Sequence, residues 1–171
     1  HFSPASYENM EHRTITLNAL SKTFGATGLR LGYIAASEEI IRNMEKYIQY
    51  ITAGVNHPVQ YGAIEAIKNV KKMNLPQIIK EYDQKRTLCV KRLKELQFEV
   101  VEPKGSFYIM PRLNSKWNMT AQEFSESLVK EEQVACVAGD AFGKHSPDGL
   151  RISYATTDEM LEEGFNRIER F

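Results

Sequence analysis

Apolar residues recur along this chain first with the spacing of strands and then with the spacing of helices. Residues 14–20 are rich in β-branched and apolar side chains and predict a buried strand, and residues 31–36 predict a second strand. Residues 37–50 place apolar side chains at helical spacing and predict a helix that faces the core. Residues 58–73 predict another helix, and residues 75–96 predict a long amphipathic helix with solvated charges.

The second half of the chain alternates shorter strand and helix patterns. Four segments are predicted as strands: 98–102, 107–113, 133–137 and 150–155. Two segments are predicted as helices: 120–131 and 157–170. Thr120 and Glu123 have the spacing of a capping box, and Thr157 is a candidate N-cap. This mixed order predicts a small α/β sandwich.

Composition narrows the functions that the chain can have. Its 22 basic and 22 acidic residues cancel, so no basic surface for nucleic acid is expected. No apolar run approaches the roughly 18 residues that span a bilayer, so no membrane partner is expected. Cys89 and Cys136 are isolated, which indicates a reducing cytoplasm rather than a disulfide framework. The four histidines share no ligand spacing with cysteines or carboxylates, so no metal site is expected.

A glycine-containing loop between the first two predicted strands carries the strongest chemical signal. Lys22 follows the first strand, and Arg30 lies eight residues later. A lysine amine that is partly desolvated at the end of a strand can attack a carbonyl, and a guanidinium can grip a phosphate. Gly25 and Gly28 allow the chain to turn sharply and to approach a ligand closely. The loop is therefore a candidate covalent cofactor site.

The loop sequence Ser-Lys-Thr-Phe-Gly-Ala-Thr-Gly-Leu-Arg-Leu-Gly-Tyr, residues 21–33, resembles the cofactor-lysine signature of the fold type I pyridoxal-phosphate enzymes, specifically the class I/II, aspartate aminotransferase-like aminotransferases. The resemblance implies that Lys22 binds pyridoxal 5'-phosphate covalently and later moves a proton at the substrate α-carbon. It also implies that Arg30 binds the cofactor phosphate. Many family members have a phosphate-binding serine three residues before the lysine, where this chain has Ala19.

Further segments resemble the same family in the same order along the chain. Residues 53–67 resemble the turn and helix that reach toward the neighbouring subunit, and residues 103–108 resemble the start of the small domain. Residues 137–143 and 149–155 resemble the closing segment, in which an arginine, here Arg151, binds the substrate α-carboxylate. A lone arginine between apolar residues is also explained by a buried ion pair with a carboxylate. Both explanations stay open at this point.

The resemblance covers nearly the whole chain but only the later part of the family's sequence. It implies an α/β fold, namely the PLP-dependent transferase fold type I, with the end of the large domain and the small carboxyl-terminal α/β domain. Residues 1–75 would belong to the PLP-binding large domain, residues 76–96 would form a long connecting helix, and residues 97–171 would form the small domain. The chain opens at His1 without an initiator methionine, so the remaining cofactor-binding residues are expected in a missing amino-terminal half of the same protein.

The implied function is transfer of an amino group between an amino acid and a 2-oxo acid through pyridoxal 5'-phosphate, in a cytoplasmic homodimer. The 171 residues alone are expected to be inactive or weakly active. Lys22, Arg30 and Arg151 would serve equally well in a carbon–sulfur lyase or an aminocyclopropane-carboxylate-synthase-like enzyme that uses the same cofactor. A non-catalytic, ligand-sensing domain of a transcription regulator is a further alternative. These alternatives stay open on the sequence.

Overall fold

The computed structural model describes residues 2–171, which divide into two compact units. The first unit ends at Met73, and the second runs from Asn74 to Phe171. None of the described helices combines the length and the apolar character that a membrane crossing needs. The predicted large-domain, connector and small-domain ranges stay a prediction, because the two units reflect contacts within this chain alone.

The first unit contains one antiparallel hairpin followed by two helices. Its elements in chain order are β1 (Thr16–Ala19), the single-turn helix α1 (Leu20–Thr23), β2 (Gly32–Ala35), α2 (Glu38–Ile51) and α3 (His57–Lys68). Short 3-10 turns cover Pro4–Ser6, Glu11–Arg13, Thr27–Leu29 and Val70–Lys72. In the hairpin, Thr16 pairs with Ala35 and Ala19 pairs with Gly32. The two predicted strands and two predicted helices of this region are confirmed, and the strands are shorter than predicted.

The first unit buries few of its apolar side chains. Leu20 and Ala63 are its buried hydrophobic residues among those the structure describes, whereas Leu17 is 71% exposed and Tyr47 is 70% exposed. The predictions of a buried first strand and of a core-facing helix at residues 37–50 are therefore wrong for this unit, and no residue of α2 is buried. An apolar stripe specifies one side of a contact only, and burial needs a second surface.

The second unit combines a small antiparallel sheet with three helices. Its elements in chain order are α4 (Leu75–Glu95), β3 (Glu99–Val100), β4 (Tyr108–Ile109), β5 (Pro111–Arg112), α5 (Ala121–Glu132), β6 (Val137–Ala138), β7 (Leu150–Ser153) and α6 (Asp158–Arg170). A 3-10 turn covers Gly139–Phe142. Strands β4, β7 and β6 form a three-stranded sheet with β7 in the centre, and β3 pairs with β5. The predicted mixture of strands and helices is confirmed.

One predicted strand, residues 107–113, is split in the structure. Tyr108 on β4 pairs with Ser153, whereas Arg112 on β5 pairs with Glu99. Arg112 also forms an antiparallel bridge to Gly149, just before β7, so the second half follows the same neighbouring segment as the first and pairs with β3 in addition, which a single-strand pattern does not reveal.

Another predicted strand, residues 133–137, is extended only at its end. Gln133 terminates α5 in a left-handed conformation with φ of 57°, and the Val134 N–H donates to the Leu128 carbonyl at 3.4 Å. These residues close the helix instead of extending a strand, because the last carbonyls of a helix need donors.

The two helix starts predicted from capping patterns in the second unit are confirmed. The Thr120 hydroxyl accepts from the Glu123 N–H at 3.2 Å, and the Glu123 carboxylate accepts from the Thr120 N–H at 2.8 Å. These reciprocal bonds form the capping box at the start of α5. At the start of α6, the Thr157 hydroxyl accepts from the Met160 N–H at 3.3 Å. Local sequence is sufficient to specify both ends.

The second unit has a continuous hydrophobic core. Its largest fully buried side chains are Tyr154, Phe124, Leu93, Ile109, Leu128, Leu150, Pro111 and Cys89. Trp117 lies in an aromatic cluster at one side of this core, with its ring centroid 4.9 Å from that of Phe124 and 5.1 Å from that of Phe98. Burial raises the pKa of the Cys89 thiol to about 12, so this cysteine is an uncharged packing group.

Arg92 links α4 to α6 within the second unit. Its Nη2 donates to Asn166 Oδ1 at 2.9 Å and to Glu169 Oε2 at 3.0 Å. Its Nη1 donates to Glu95 Oε2 at 3.4 Å. The Arg92 side chain is only 17% exposed, and the carboxylates that it contacts directly balance its charge.

Candidate functional site

The hairpin of the first unit places Lys22 and Arg30 in one loop. Ala19 pairs with Gly32 at the base of this loop. A Cβ atom on Gly32 would lie 2.7 Å from the backbone oxygen of Asn18, closer than a Cβ atom approaches, so the base of the loop requires glycine. Lys22 and Arg30 therefore lie in one loop, and the pairing of Ala19 with Gly32 fixes both of its ends.

Lys22 lies on α1, the helical turn that directly follows β1. Leu20 is buried, and its N–H donates to the Leu31 carbonyl at 3.1 Å, which attaches this turn to the hairpin. Gly25 adopts φ of +60°, a left-handed conformation that reverses the chain after the lysine. The Lys22 residue is exposed, so the partial desolvation expected from the sequence is not present within this unit. Lys22 is exposed because the strand that precedes it, β1, is itself largely exposed.

Arg30 has an unusual backbone conformation for a non-glycine residue. Its φ of 51° and ψ of 46° are left-handed, a conformation that costs on the order of 1 kcal/mol. Its Nη1 donates to the Thr27 carbonyl at 2.9 Å, within the same loop. Among residues 2–171, no carboxylate forms an ion pair with this guanidinium. The charge of Arg30 is therefore not balanced by an acidic side chain of residues 2–171.

The donor set of this loop fits pyridoxal 5'-phosphate. A lysine amine is the group that bonds the cofactor aldehyde, and a guanidinium offers a planar set of donors to the phosphate. Ser21 supplies a hydroxyl next to the lysine, whereas Ala19 supplies none. The Ala19 N–H donates to Asn18 Oδ1 at 2.8 Å. Lys22 and Arg30 are therefore the residues of this loop that could hold the cofactor.

Arg151 lies on β7, the central strand of the sheet in the second unit. It pairs with Val137 on β6, and Ser153, two residues further along β7, pairs with Tyr108 on β4. Because side chains alternate along strands, these four residues share one face of the sheet. The neighbouring Leu150 is fully buried on the other face. Arg151 therefore projects from the face opposite to the hydrophobic core.

Two aromatic rings lie against the Arg151 guanidinium. Its Cζ atom is 4.5 Å from the ring centroid of Tyr108 and 4.5 Å from that of Phe142. Both distances are within the roughly 6 Å at which a cation is attracted to a ring face. Within residues 2–171, Arg151 forms no ion pair with a carboxylate, so the buried ion pair considered from the sequence is not observed.

The other half-buried arginines of the second unit have acidic partners. Arg86 donates to Asp83 at 2.8 Å and to Glu102 at 2.6 Å, and Arg167 donates to Glu163 at 2.7 Å. Arg92 is paired in the same way by the carboxylates between α4 and α6. Arg151 differs from these because aromatic rings replace the carboxylates.

Sequence reasoning did not single out Tyr108 and Phe142. Tyr108 reaches Arg151 as a diagonal neighbour across two paired strands, and such pairs depend on the register. Phe142 is brought in by the turn after β6, where a Cβ atom on Gly139 would lie 2.4 Å from the Ser146 carbonyl. The strand register and this close turn belong to the tertiary structure. Gly139 was the one residue that indicated the turn in the sequence.

Tyr154 supports the segment that leads into β4. Its hydroxyl donates to the Ser106 carbonyl at 2.8 Å, and its N–H donates to the Phe107 carbonyl at 3.0 Å. Burial raises the pKa of the Tyr154 hydroxyl, so this group stays protonated and continues to donate at neutral pH. Ser106 has φ of 70°, and the bond from Tyr154 fixes the turn in which this conformation occurs.

Comparison with known families and structures agrees with the fold. The family described as aminotransferase class I and II matches residues 3–168. The chain therefore belongs to the class I and II aminotransferases. Its α/β fold is that of part of a fold type I, PLP-dependent transferase, as the solved structures below also show.

Similar proteins include aminotransferases named for different substrates. An aspartate aminotransferase of Pyrococcus abyssi is 44% identical over 171 residues, which cover 99% of this chain and 44% of that protein. The crystal structure of an aromatic aminotransferase from Pyrococcus horikoshii OT3 has a TM-score of 0.92 and 45% identity, over 99% of this chain and 45% of that chain. The structure of a Thermus thermophilus aspartate aminotransferase with maleate has a TM-score of 0.89 and 28% identity, over 99% of this chain and 44% of that chain. This chain thus spans less than half the length of these relatives.

Proposed function

We propose that the polypeptide containing this chain is a pyridoxal-phosphate-dependent aminotransferase that moves an amino group between an amino acid and a 2-oxo acid. The observation that carries the proposal is the hairpin loop, closed by the pairing of β1 with β2, in which both Lys22 and Arg30 lie. Membership of the class I and II aminotransferases supports the same reaction. Relatives named for aspartate and for aromatic amino acids support an amino acid substrate without selecting one.

Lys22 and Arg30 are proposed to divide the binding of the cofactor between them. Pyridoxal phosphate, when bound, supplies an electron sink for the bonds at the substrate α-carbon. Lys22 Nζ would hold the cofactor through its aldehyde and would carry the proton at the substrate α-carbon as general base and acid. Arg30 binds the phosphate through its guanidinium, whose Nη1 is oriented by the Thr27 carbonyl.

Arg151 is proposed to bind the α-carboxylate of the substrate. A guanidinium binds a carboxylate through two parallel N–H donors, and Arg151 has no acidic partner in the described chain that would compete. The Thermus thermophilus relative was solved with maleate, a dicarboxylate, which supports a carboxylate ligand for this family of folds. Arg151 thereby sets the orientation of the substrate rather than the chemistry at the α-carbon.

The proposal extends to a homodimer in the cytoplasm. Tyr61 and Ile67 of α3 are 71% and 49% exposed, and the resemblance implies that this helix region reaches toward a neighbouring subunit. Cys89 and Cys136 are free thiols, which fits a reducing compartment. Sedimentation of the full-length polypeptide at several concentrations tests the dimer, and a monomer at every concentration would contradict it.

The first experiment locates the lysine that holds the cofactor. The full-length polypeptide is incubated with pyridoxal phosphate, reduced with borohydride and digested, and the modified peptide is identified by mass. We expect stoichiometric modification at Lys22 and its loss in Lys22→Ala. Lys46→Ala, which changes an exposed lysine of α2, should leave the modification unchanged. Equal, scattered labelling of surface lysines in the wild type and in Lys22→Ala would overturn the proposal.

The second experiment identifies the reaction. A panel of amino acids is supplied with several 2-oxo acids, and the products are analysed. A new amino acid together with a new 2-oxo acid supports transamination, whereas ammonia, a thiol or an aminocyclopropane product would assign the scaffold to one of the alternative reactions. Arg151→Ala should raise the substrate KM far more than it weakens cofactor binding, and equal effects on both would count against its assigned role.

A further inference from the structure

We infer that Tyr108 and Phe142 are positioning residues that hold the Arg151 guanidinium for its carboxylate ligand, an inference that rests on the proposed function. Neither residue needs to touch the substrate for this role. The basis is the pair of equal distances, 4.5 Å, from Arg151 Cζ to the two ring centroids.

The chemistry of a guanidinium explains why rings suit this task. Its five N–H donors lie in the plane of the group, and aromatic rings attract the cation through their faces. A ring therefore restrains the group without using its donors. A carboxylate partner, such as those on Arg86, would instead occupy the donors that a substrate needs. Rings at Arg151 keep the side chain ordered and its donors available.

The fold fixes each ring by a separate device. Tyr108 is fixed by the pairing of β4 with β7, and Tyr154 supports the preceding turn through Ser106. Phe142 ends the 3-10 turn that follows β6, on the other side of β7 in the sheet order. The Gly139 N–H donates to the Gly149 carbonyl at 2.7 Å and closes this turn. The two rings are thus held by backbone structure on both flanks of the strand that carries Arg151.

The positions of the rings differ in exposure, which makes them separable by mutation. Phe142 is 51% exposed, so its replacement removes a ring with little effect on the core. Tyr108 is half-buried and is supported by the Phe107 ring, with centroids 4.4 Å apart. Tyr108→Phe keeps the ring face and removes only the hydroxyl. It is therefore the conservative variant that should rescue the function lost in Tyr108→Leu.

The experiment uses the full-length polypeptide loaded with pyridoxal phosphate. Tyr108→Leu, Tyr108→Phe and Phe142→Leu are compared with Tyr82→Leu, a control that removes a ring whose centroid lies 6.4 Å from that of Tyr154 and that is not one of the two rings against Arg151. Steady-state assays give KM and kcat for the preferred amino acid. Nitrogen-15 NMR of labelled arginine gives the rate of rotation about the Arg151 Nε–Cζ bond, assigned with Arg151→Lys.

Each leucine variant at Tyr108 or Phe142 should raise KM about three- to tenfold with kcat changed less than about twofold, and should speed the guanidinium rotation. Tyr108→Phe and Tyr82→Leu should match the wild type in both readouts. If Tyr108→Leu does not fold, Phe142→Leu alone still decides the result.

Two outcomes overturn the inference in different ways. If Arg151→Lys raises KM while Tyr108→Leu and Phe142→Leu leave KM and the rotation unchanged, the positioning role is wrong and the proposed function stands. If Arg151→Lys leaves KM unchanged, the proposed role of Arg151 fails and the inference fails with it.

Discussion

In the second unit, side chains from three helices and the β4–β7–β6 sheet enclose a common core, whereas in the first unit most large apolar side chains face outward. Leu20 and Ala63 are the buried hydrophobic residues of the first unit among those described. Ile51 of α2 is 76% exposed, whereas Leu93 of α4 is fully buried. The second unit therefore has a hydrophobic core of its own, whereas the described residues of the first unit bury little apolar surface.

The same contrast applies to the candidate sites. Lys22 and Arg30 lie in an exposed loop, so their local geometry is present but the walls of a desolvated cavity are not. Arg151, with Tyr108 and Phe142 against it, lies on a sheet whose opposite face is core. The residue proposed to orient the substrate thus lies in the unit with the buried core, whereas the residues proposed to hold the cofactor lie in the unit that buries little apolar surface.

The largest expected effect tests whether apolar side chains contribute more to stability in the second unit than in the first. Phe124→Ala removes a ring that is 1% exposed and should destabilise the second unit by about 3–5 kcal/mol. Leu17→Ala in β1, where the side chain is 71% exposed, should change stability by less than about 0.5 kcal/mol. Urea unfolding followed by circular dichroism measures both. A loss for Leu17→Ala comparable to that for Phe124→Ala would show that the two units do not differ as described.

A smaller effect concerns the turn that supports Tyr108. Tyr154→Phe leaves the Ser106 carbonyl without its hydroxyl donor and should cost about 1–2 kcal/mol in the free energy of unfolding. Tyr82→Phe, at a partly exposed ring beside Tyr154, is the matched control and should be near neutral. Calorimetry of both variants provides the comparison. An unchanged stability in Tyr154→Phe would mean that the turn is held by other contacts.

The smallest effect is a pH dependence of the α5 capping box. Hydrogen bonds from the Thr120 backbone N–H and then from its hydroxyl lower the pKa of Glu123 from its ordinary value of 4.5. A lowered folded pKa contributes stability that is fully present above pH 4.5 and is lost as the pH falls through the folded value. Glu123→Gln should therefore flatten the stability profile of the second unit below pH 4.5. Glu131→Gln on the same helix should not, and identical profiles for the two variants would contradict the assignment.

Local sequence patterns were sufficient to predict most of the helices and strands. The capping residues Thr120 and Thr157 gave correct helix starts, because a cap involves only the next few residues. The predicted strand at 133–137 was mostly wrong, because β-branched propensity there competes with the closure of α5 at Gln133. The burial of β1 and α2 was also wrong, since periodicity describes which side chains share a face and not what covers that face.

The candidate site was predictable to the extent that its residues are close in sequence. Lys22 and Arg30 were singled out from their spacing in one loop; the hairpin confirms that they share this loop, and their roles stay a prediction. Arg151 was singled out from the order of motifs along the chain, and its role stays a prediction. The rings of Tyr108 and Phe142 were not found, because they approach Arg151 through strand register and through a turn closed by Gly139 and Gly149. No local sequence pattern encodes either contact.

The aromatic cluster of the second unit has an optical consequence. Trp117 is the single tryptophan of the chain, and its indole is surrounded by the rings of Phe98, Phe124 and Phe171. The intrinsic tryptophan emission therefore reports on the packing of these rings in the second unit. Tyr33→Trp on β2, where the side chain is 49% exposed, would give the hairpin that carries Lys22 and Arg30 an emission of its own.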